Sequence, residues 1–135
     1  EIVAETMRLL KQRTGRYPII YSRKSWVDVH LDPSVEPIDQ ADWWLANYLA
    51  TVEYPNYQNE KMPPPPLPDG VSKWLIHQTT SRGKSIGAPS YYMDYDRWNG
   101  TEADVRRYFN LDVSEPEPSL EQKVQILWDA HPELW

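Results

Sequence analysis

The sequence predicts an α/β fold. An amphipathic helical stretch runs directly into a short, nearly all-apolar run, which is half of a β–α–β repeat. Further apolar and aromatic runs recur down the chain between turn signals. With 135 residues, 40% hydrophobic and 25% charged, the chain has the composition of one ordinary globular domain.

Residues 2 to 14 place Ile2, Val3, Thr6, Leu9, Leu10 and Arg13 at helical spacing, and Gly15 supplies a C-terminal stop. Tyr17 to Ser22 (YPIIYS) is rich in β-branched and aromatic residues and reads as a strand buried on both faces. Ser25 is placed to cap a short helix through Leu31, which Asp32-Pro33 ends. Ala41 to Leu49 supplies a second buried strand. Thr51 to Gly70 contains four consecutive prolines, Pro63 to Pro66, too short of N–H donors for helix or sheet, and reads as an ordered loop or polyproline stretch wrapping the surface. Trp74 to Thr79 is the third strand, with a hairpin-like turn expected at Ser81-Arg82-Gly83, and Tyr91 to Tyr95 is the fourth. After the Asn99-Gly100 turn, Thr101 with Asp104 three residues on forms a capping box for a helix from Glu102 to about Phe109. Residues 113 to 119 read as a linker. In the tail, 120 to 135, the positions Leu120, Val124, Leu127, His131 and Leu134 are spaced as a short heptad seam, expected as a docked terminal helix.

Several function classes are disfavoured. Twenty acidic against 14 basic residues, a formal charge of -6, would repel a phosphate backbone, so no nucleic-acid partner is expected. No apolar run approaches the ~20 residues of a membrane span. The absence of cysteine removes thiolate metal sites and thiol nucleophiles. His30, His77 and His131 stand far apart in unrelated contexts, so neither a metal nor a cofactor is expected. The 7 Trp and 9 Tyr against a single Phe are unusual: aromatics with a polar handle suit a wet sugar groove, although they serve equally well between core and solvent.

Four segments, Tyr17 to Ser22 (YPIIYS), Trp44 to Tyr48 (WLANY), Trp74 to Gly83 (WLIHQTTSRG) and Asp94 to Thr101 (DYDRWNGT), in this order and spacing, resemble the second half of the catalytic barrel of the glycoside hydrolase family 25 lysozymes, the N-acetylmuramidases. The resemblance implies a flattened, TIM-like (β/α) barrel whose last strands lack intervening helices. It also implies hydrolysis of the β-1,4 bond between N-acetylmuramic acid and N-acetylglucosamine, with a peptidoglycan strand as partner and an extracellular or cell-wall place of action. The family's proton-donating Glu sits in an Asp-x-Glu motif, and none of the Asp residues here has a Glu two positions on. The chain is therefore expected to be half of a barrel, incomplete without an N-terminal segment of the same protein.

In this setting Asp94 matches the Asp of the family's last strand, a member of the acidic cluster, and is assigned as an electrostatic or orienting catalytic carboxylate; on the residues alone it reads as a turn former ahead of Asn99-Gly100. Asp96 reads rather as part of that turn. Tyr21 is placed to donate its hydroxyl to a sugar or a carboxylate. Trp44 and Tyr48, four apart on one strand, share a face and are candidates for a stacking platform, while Trp43 and Trp44 must point opposite ways. Gln78 agrees with the family and completes the substrate-binding set with His77, which stands where the family usually has an aromatic. A lone His is also an ordinary hydrogen-bonded core or rim residue. The competing reading is a non-catalytic peptidoglycan-binding or phage structural module, separated from the enzyme by whether an Asp-x-Glu lies upstream. A third has the tail join the chain to another protein.

Overall fold

The computed structural model describes residues 2–48, 62–84, 92–111 and 119–130. They fall into two compact units, Glu1–Asn99 and Gly100–Trp135.

The first unit is a four-stranded sheet with helices. Helix α1 (Ile2–Thr14) buries Ala4 and Met7, one turn apart, and ends where Gly15 takes the left-handed conformation at φ 79°. Strand β1 (Ile19–Ser22) follows, then helix α2 (Lys24–His30), which seats Val27 in the core. Beyond α2 the Asp32 side chain accepts from the Ser34 backbone and hydroxyl, a local turn that keeps the helix from continuing into Pro33. A single 3-10 turn at Ile38–Gln40 leads into β2 (Asp42–Ala46), and β3 (Ile76–Lys84) and β4 (Tyr92–Trp98) complete the sheet.

The strand order is β1-β2-β3-β4, with β1/β2 and β2/β3 parallel and β3/β4 antiparallel. Alternation along β2 sends Trp43 and Leu45 into the core with Ala4, Met7, Val27, Ile38 and Ala41, and turns Trp44 to the other face. The mixed α/β class expected from the sequence is therefore the class observed.

Several expectations are corrected. Strand β1 is an edge of the described sheet and only half-buried, with Tyr21 52% exposed, because no described strand lies on its outer side. The turn expected at Ser81-Arg82-Gly83 is strand: β3 runs on to Lys84, and Gly83 pairs with Met93. Gly83 serves packing there, since a Cβ on it would lie 2.5 Å from the Tyr95 ring. Strand β4 runs on to Trp98, beyond the expected end at Tyr95, so Asp94 lies within it, and its first three residues are exposed. Strand β2 stops at Ala46 rather than Leu49.

Of the Pro-rich segment, residues 62–70 are described. Without helix or sheet, they bury Pro65 and Pro68 and pack Leu67 on the core; 51–61 lie outside the described residues. In the second unit α3 (Glu102–Phe109) opens with the expected capping box, Thr101 accepting from the Asp104 N–H while Asp104 accepts from the Thr101 N–H. Helix α4 (Leu120–Ala130) carries the first three seam positions; His131, Leu134 and nearly all of the expected linker lie outside the described residues. Among the described residues no helix is long and apolar enough to cross a membrane.

Candidate active site

Parallel pairing sets Tyr21 beside Trp44 and Ala46 beside Gln78, and antiparallel pairing sets Gln78 beside Asp96. Paired residues share a face, so Tyr21, Trp44, Gln78 and Asp96 all rise from the side of the sheet opposite the core. The Tyr21 hydroxyl donates to Gln78 Oε1 at 2.6 Å and the Tyr48 hydroxyl donates to the same oxygen at 3.2 Å. One amide oxygen has two lone pairs, so both bonds are satisfied and both rings are fixed. The Tyr21 ring meets Trp44 edge to face at 5.2 Å, and Trp44 Nε1 donates to Asp96 Oδ1 at 2.7 Å. Four of the expected residues, Tyr21, Trp44, Tyr48 and Gln78, are thus one connected cluster.

His77 is on the other side. Its neighbours in register are Leu45 and Arg97, and it is fully buried. Gln78 and His77, adjacent on a strand, cannot face one groove, so His77 does not join the polar-aromatic face with Gln78. Its Nε2 bonds the Asn47 carbonyl at 3.0 Å, and its Nδ1 receives Arg97 Nε at 3.2 Å. With Arg97 a donor only, the ring carries its proton on Nε2.

Sequence reasoning understated Asp96. Alternation puts it on the face of Asp94, and contact with Trp44, 52 residues away, draws it into the cluster rather than the turn. Burial pushes the Asp96 carboxyl up from the ordinary Asp range, the Trp44 hydrogen bond pulls it down, and the like charge of Asp94 pushes it up again. Both aspartates are exposed residues, so the desolvation of the Asp96 carboxyl is only partial. The Tyr21 hydroxyl is pushed up to about 12, by burial first, then by its hydrogen-bonding contact with Tyr48, then by the negative charges of Asp94 and Asp96. Half of the residue is exposed, so that burial acts on the hydroxyl end, held between Gln78 and Tyr48. Tyr21 is consequently neutral, and its hydroxyl acts as a hydrogen-bond donor that keeps its proton.

A cleft of about 830 Å³ opens at the C-terminal ends of β1 and β2, the end of a parallel sheet where α/β proteins gather ligands. Tyr21, Tyr48, Asn47, Arg23, Trp26 and Pro66 line it. Gln78, Trp44 and the two aspartates are not part of that lining; they connect to it through Tyr21 and Tyr48. Arg23 and Trp26 went unnoticed in the sequence, where the signal was their place just after a strand end. Among the described residues no group of three or more His, Cys, Asp or Glu is arranged to hold a metal ion.

No family model and no curated protein matches the chain in sequence. In structure it is similar to the bacterial lysozyme from Streptomyces coelicolor, with a TM-score of 0.56 at 21% identity, covering 73% of this chain and 39% of that one. A family 25 glycosyl hydrolase from Bacillus anthracis matches with a TM-score of 0.56 at 20% identity, over 78% of this chain and 42% of that one. A muramidase from Acremonium alcalophilum matches with 0.55 at 21%, again over 78% and 42%. The chain thus spans about two fifths of the length of these structures and shares the fold of the part it spans.

Proposed function

We propose that this chain is the second half of the catalytic barrel of a peptidoglycan hydrolase that cuts the β-1,4 bond between N-acetylmuramic acid and N-acetylglucosamine. The observation that carries the reading is the cluster itself: two tyrosine hydroxyls converging on one glutamine oxygen, a tryptophan tied to an aspartate, and a second aspartate beside them. All of them stand on the face opposite the core, next to a cleft at the strand ends. Amphipathic rings with fixed polar ends are what a pyranose, with apolar C–H faces and a rim of hydroxyls, binds. The fold shared with lysozymes and muramidases supports the same reading.

Glycoside hydrolysis needs one carboxylic acid to protonate the leaving oxygen and one carboxylate to attack or stabilise the oxocarbenium-like centre. In this proposal the main pair comes from the N-terminal half of the same barrel. Asp94 contributes an orienting negative charge; Tyr21, Trp44, Tyr48 and Gln78 hold the glycan. Residues 1–112 are the barrel half, 113–119 a linker and 120–135 a terminal helix, and the protein works in the cell wall or outside the cell. The outer edge of β1 is where an N-terminal strand would pair, since a strand edge offers a row of backbone N–H and C=O groups to a further strand.

The test is digestion of purified peptidoglycan by the parent polypeptide, with the new reducing ends identified by mass spectrometry. Reducing-end N-acetylmuramic acid is expected. Asp94→Asn should keep the fold and cut turnover by about a hundredfold, the scale of a positioned acid–base component. Reducing-end N-acetylglucosamine would overturn the bond assignment, and binding without cleavage would make the protein a peptidoglycan-binding module.

A further inference from the structure

Residues 63 to 66 and 68 are prolines, so this part of the chain has almost no N–H to give and must be held through its carbonyls. Arg97 holds them: Nη1 donates to the Met62 carbonyl at 2.7 Å and Nη2 to the Pro63 carbonyl at 2.5 Å. The guanidinium lies over the Trp74 ring at 5.1 Å, and its Nε donates to His77 Nδ1 at 3.2 Å. His77 in turn donates from Nε2 to the Asn47 carbonyl. A single line of hydrogen bonds therefore runs from Asn47, at the exit of β2, through His77 and Arg97 to the start of the proline segment. Both of its ends lead to the cleft, because Asn47 lines it directly and Pro66 lines it three residues beyond the anchored Pro63. The other end of the segment is pinned separately, Lys24 pairing with Asp69 at 2.7 Å and Asp28 accepting from the Asp69 N–H at 2.9 Å.

We propose that His77 and Arg97 are positioning residues for the cleft, and that the pair is a latch which holds Pro66 as a cleft wall while His77 is neutral and releases it when His77 is protonated. The chemistry is one of donor and acceptor count. Neutral His77 has one acceptor nitrogen and Arg97 uses it; a second proton turns that nitrogen into a donor and sets a cation against the guanidinium. Arg97 is the charged group facing His77 from β4, while β2 offers the uncharged Asn47 carbonyl and the approach to β3 the Trp74 ring. Burial and the Arg97 charge both disfavour the protonated ring, against the Asn47 carbonyl, so the folded value lies below the ordinary 6.5. The sign follows: latch and neutral His77 persist above 6.5, and stability falls as pH drops from there toward the lower folded value.

The test is an NMR pH titration of the chain, following the Asn47, Tyr48 and Leu67 amides together with the His77 ring. In wild type all four should move with one midpoint below 6.5. In His77→Gln, which keeps a donor and an acceptor but does not titrate, the amide midpoint should vanish; in Arg97→Lys, which cannot fork to two carbonyls, the Leu67 resonance should be displaced already at neutral pH. Amides that ignore the His77 midpoint in wild type, or an unaltered midpoint in His77→Gln, would overturn the latch. Should the Gln variant not fold, the wild-type and Arg97→Lys titrations still decide. A second arm, resting on the proposed glycan function, follows binding of an N-acetylglucosamine oligomer, expected to weaken in wild type with the same midpoint. Absence of binding at every pH would count against the glycan reading alone, because the latch is judged by the resonances.

Discussion

Trp43 and Trp44 are neighbours in sequence with opposite environments: Trp43 is 3% exposed among core aliphatics, and Trp44 stands on the other face with its indole N–H on Asp96. Trp43→Ala should cost about 3 to 5 kcal/mol, the usual range for emptying a buried aromatic site. Trp44→Ala should leave most of the stability in place and weaken the proposed glycan binding. Urea melts and binding isotherms on the two variants would check the contrast, and equal losses of stability would refute it. Tyr21 gives a second residue-scale expectation. Its hydroxyl titrates at about 12 instead of 10.0, so the stability it contributes is complete below pH 10 and is lost as pH rises toward 12. Ultraviolet titration of tyrosinate should show a late-ionising component that Tyr21→Phe removes. Tyr48→Phe and Asp94→Asn should each bring it forward, because each removes a cause of the shift.

At the scale of elements, the same sequence features act through pairing and capping. Thr101 closes a reciprocal pair of hydrogen bonds at the start of α3, so Thr101→Ala should destabilise that helix by about 1 kcal/mol while Thr101→Ser keeps most of it. Helicity by circular dichroism of the two variants would measure this. In the β3/β4 pair, Gly83 lets the Tyr95 ring lie directly on the backbone. Gly83→Ala would force ring and strand apart and should cost about 1 to 3 kcal/mol, the scale of overpacking. A double variant with Tyr95→Ala should show less than additive loss, since the clash is gone once the ring is removed.

For the whole molecule, the proposed barrel half makes one demand. A sheet with an exposed parallel edge at β1 and a proposed partner to the N-terminal side should be more stable with that partner than without it. Joining the chain to the segment that precedes it in the parent polypeptide is expected to raise the melting temperature and give one cooperative transition. A monodisperse 15.9 kDa monomer that melts cooperatively by itself at the same temperature would sink the half-barrel proposal.

What could be read locally was determined by the sequence: α1 with its Gly15 stop, the capping box of Thr101 and Asp104, and the opposition of Trp43 to Trp44 on one strand. Each depends on residues a few positions apart, where helical or strand periodicity fixes geometry before any packing occurs. The tertiary structure decided the rest. Gln78 became the common acceptor of Tyr21 and Tyr48, 57 and 30 residues away, and Asp96 left the turn to which its neighbours assigned it. His77, expected beside Gln78 in a sugar site, went to the core side, where the polarity that argued for a ligand is satisfied by Arg97 and the Asn47 carbonyl. Strand register, which brings distant residues together and chooses the face each one presents, is set by pairing across the sheet and cannot be read from any one segment alone.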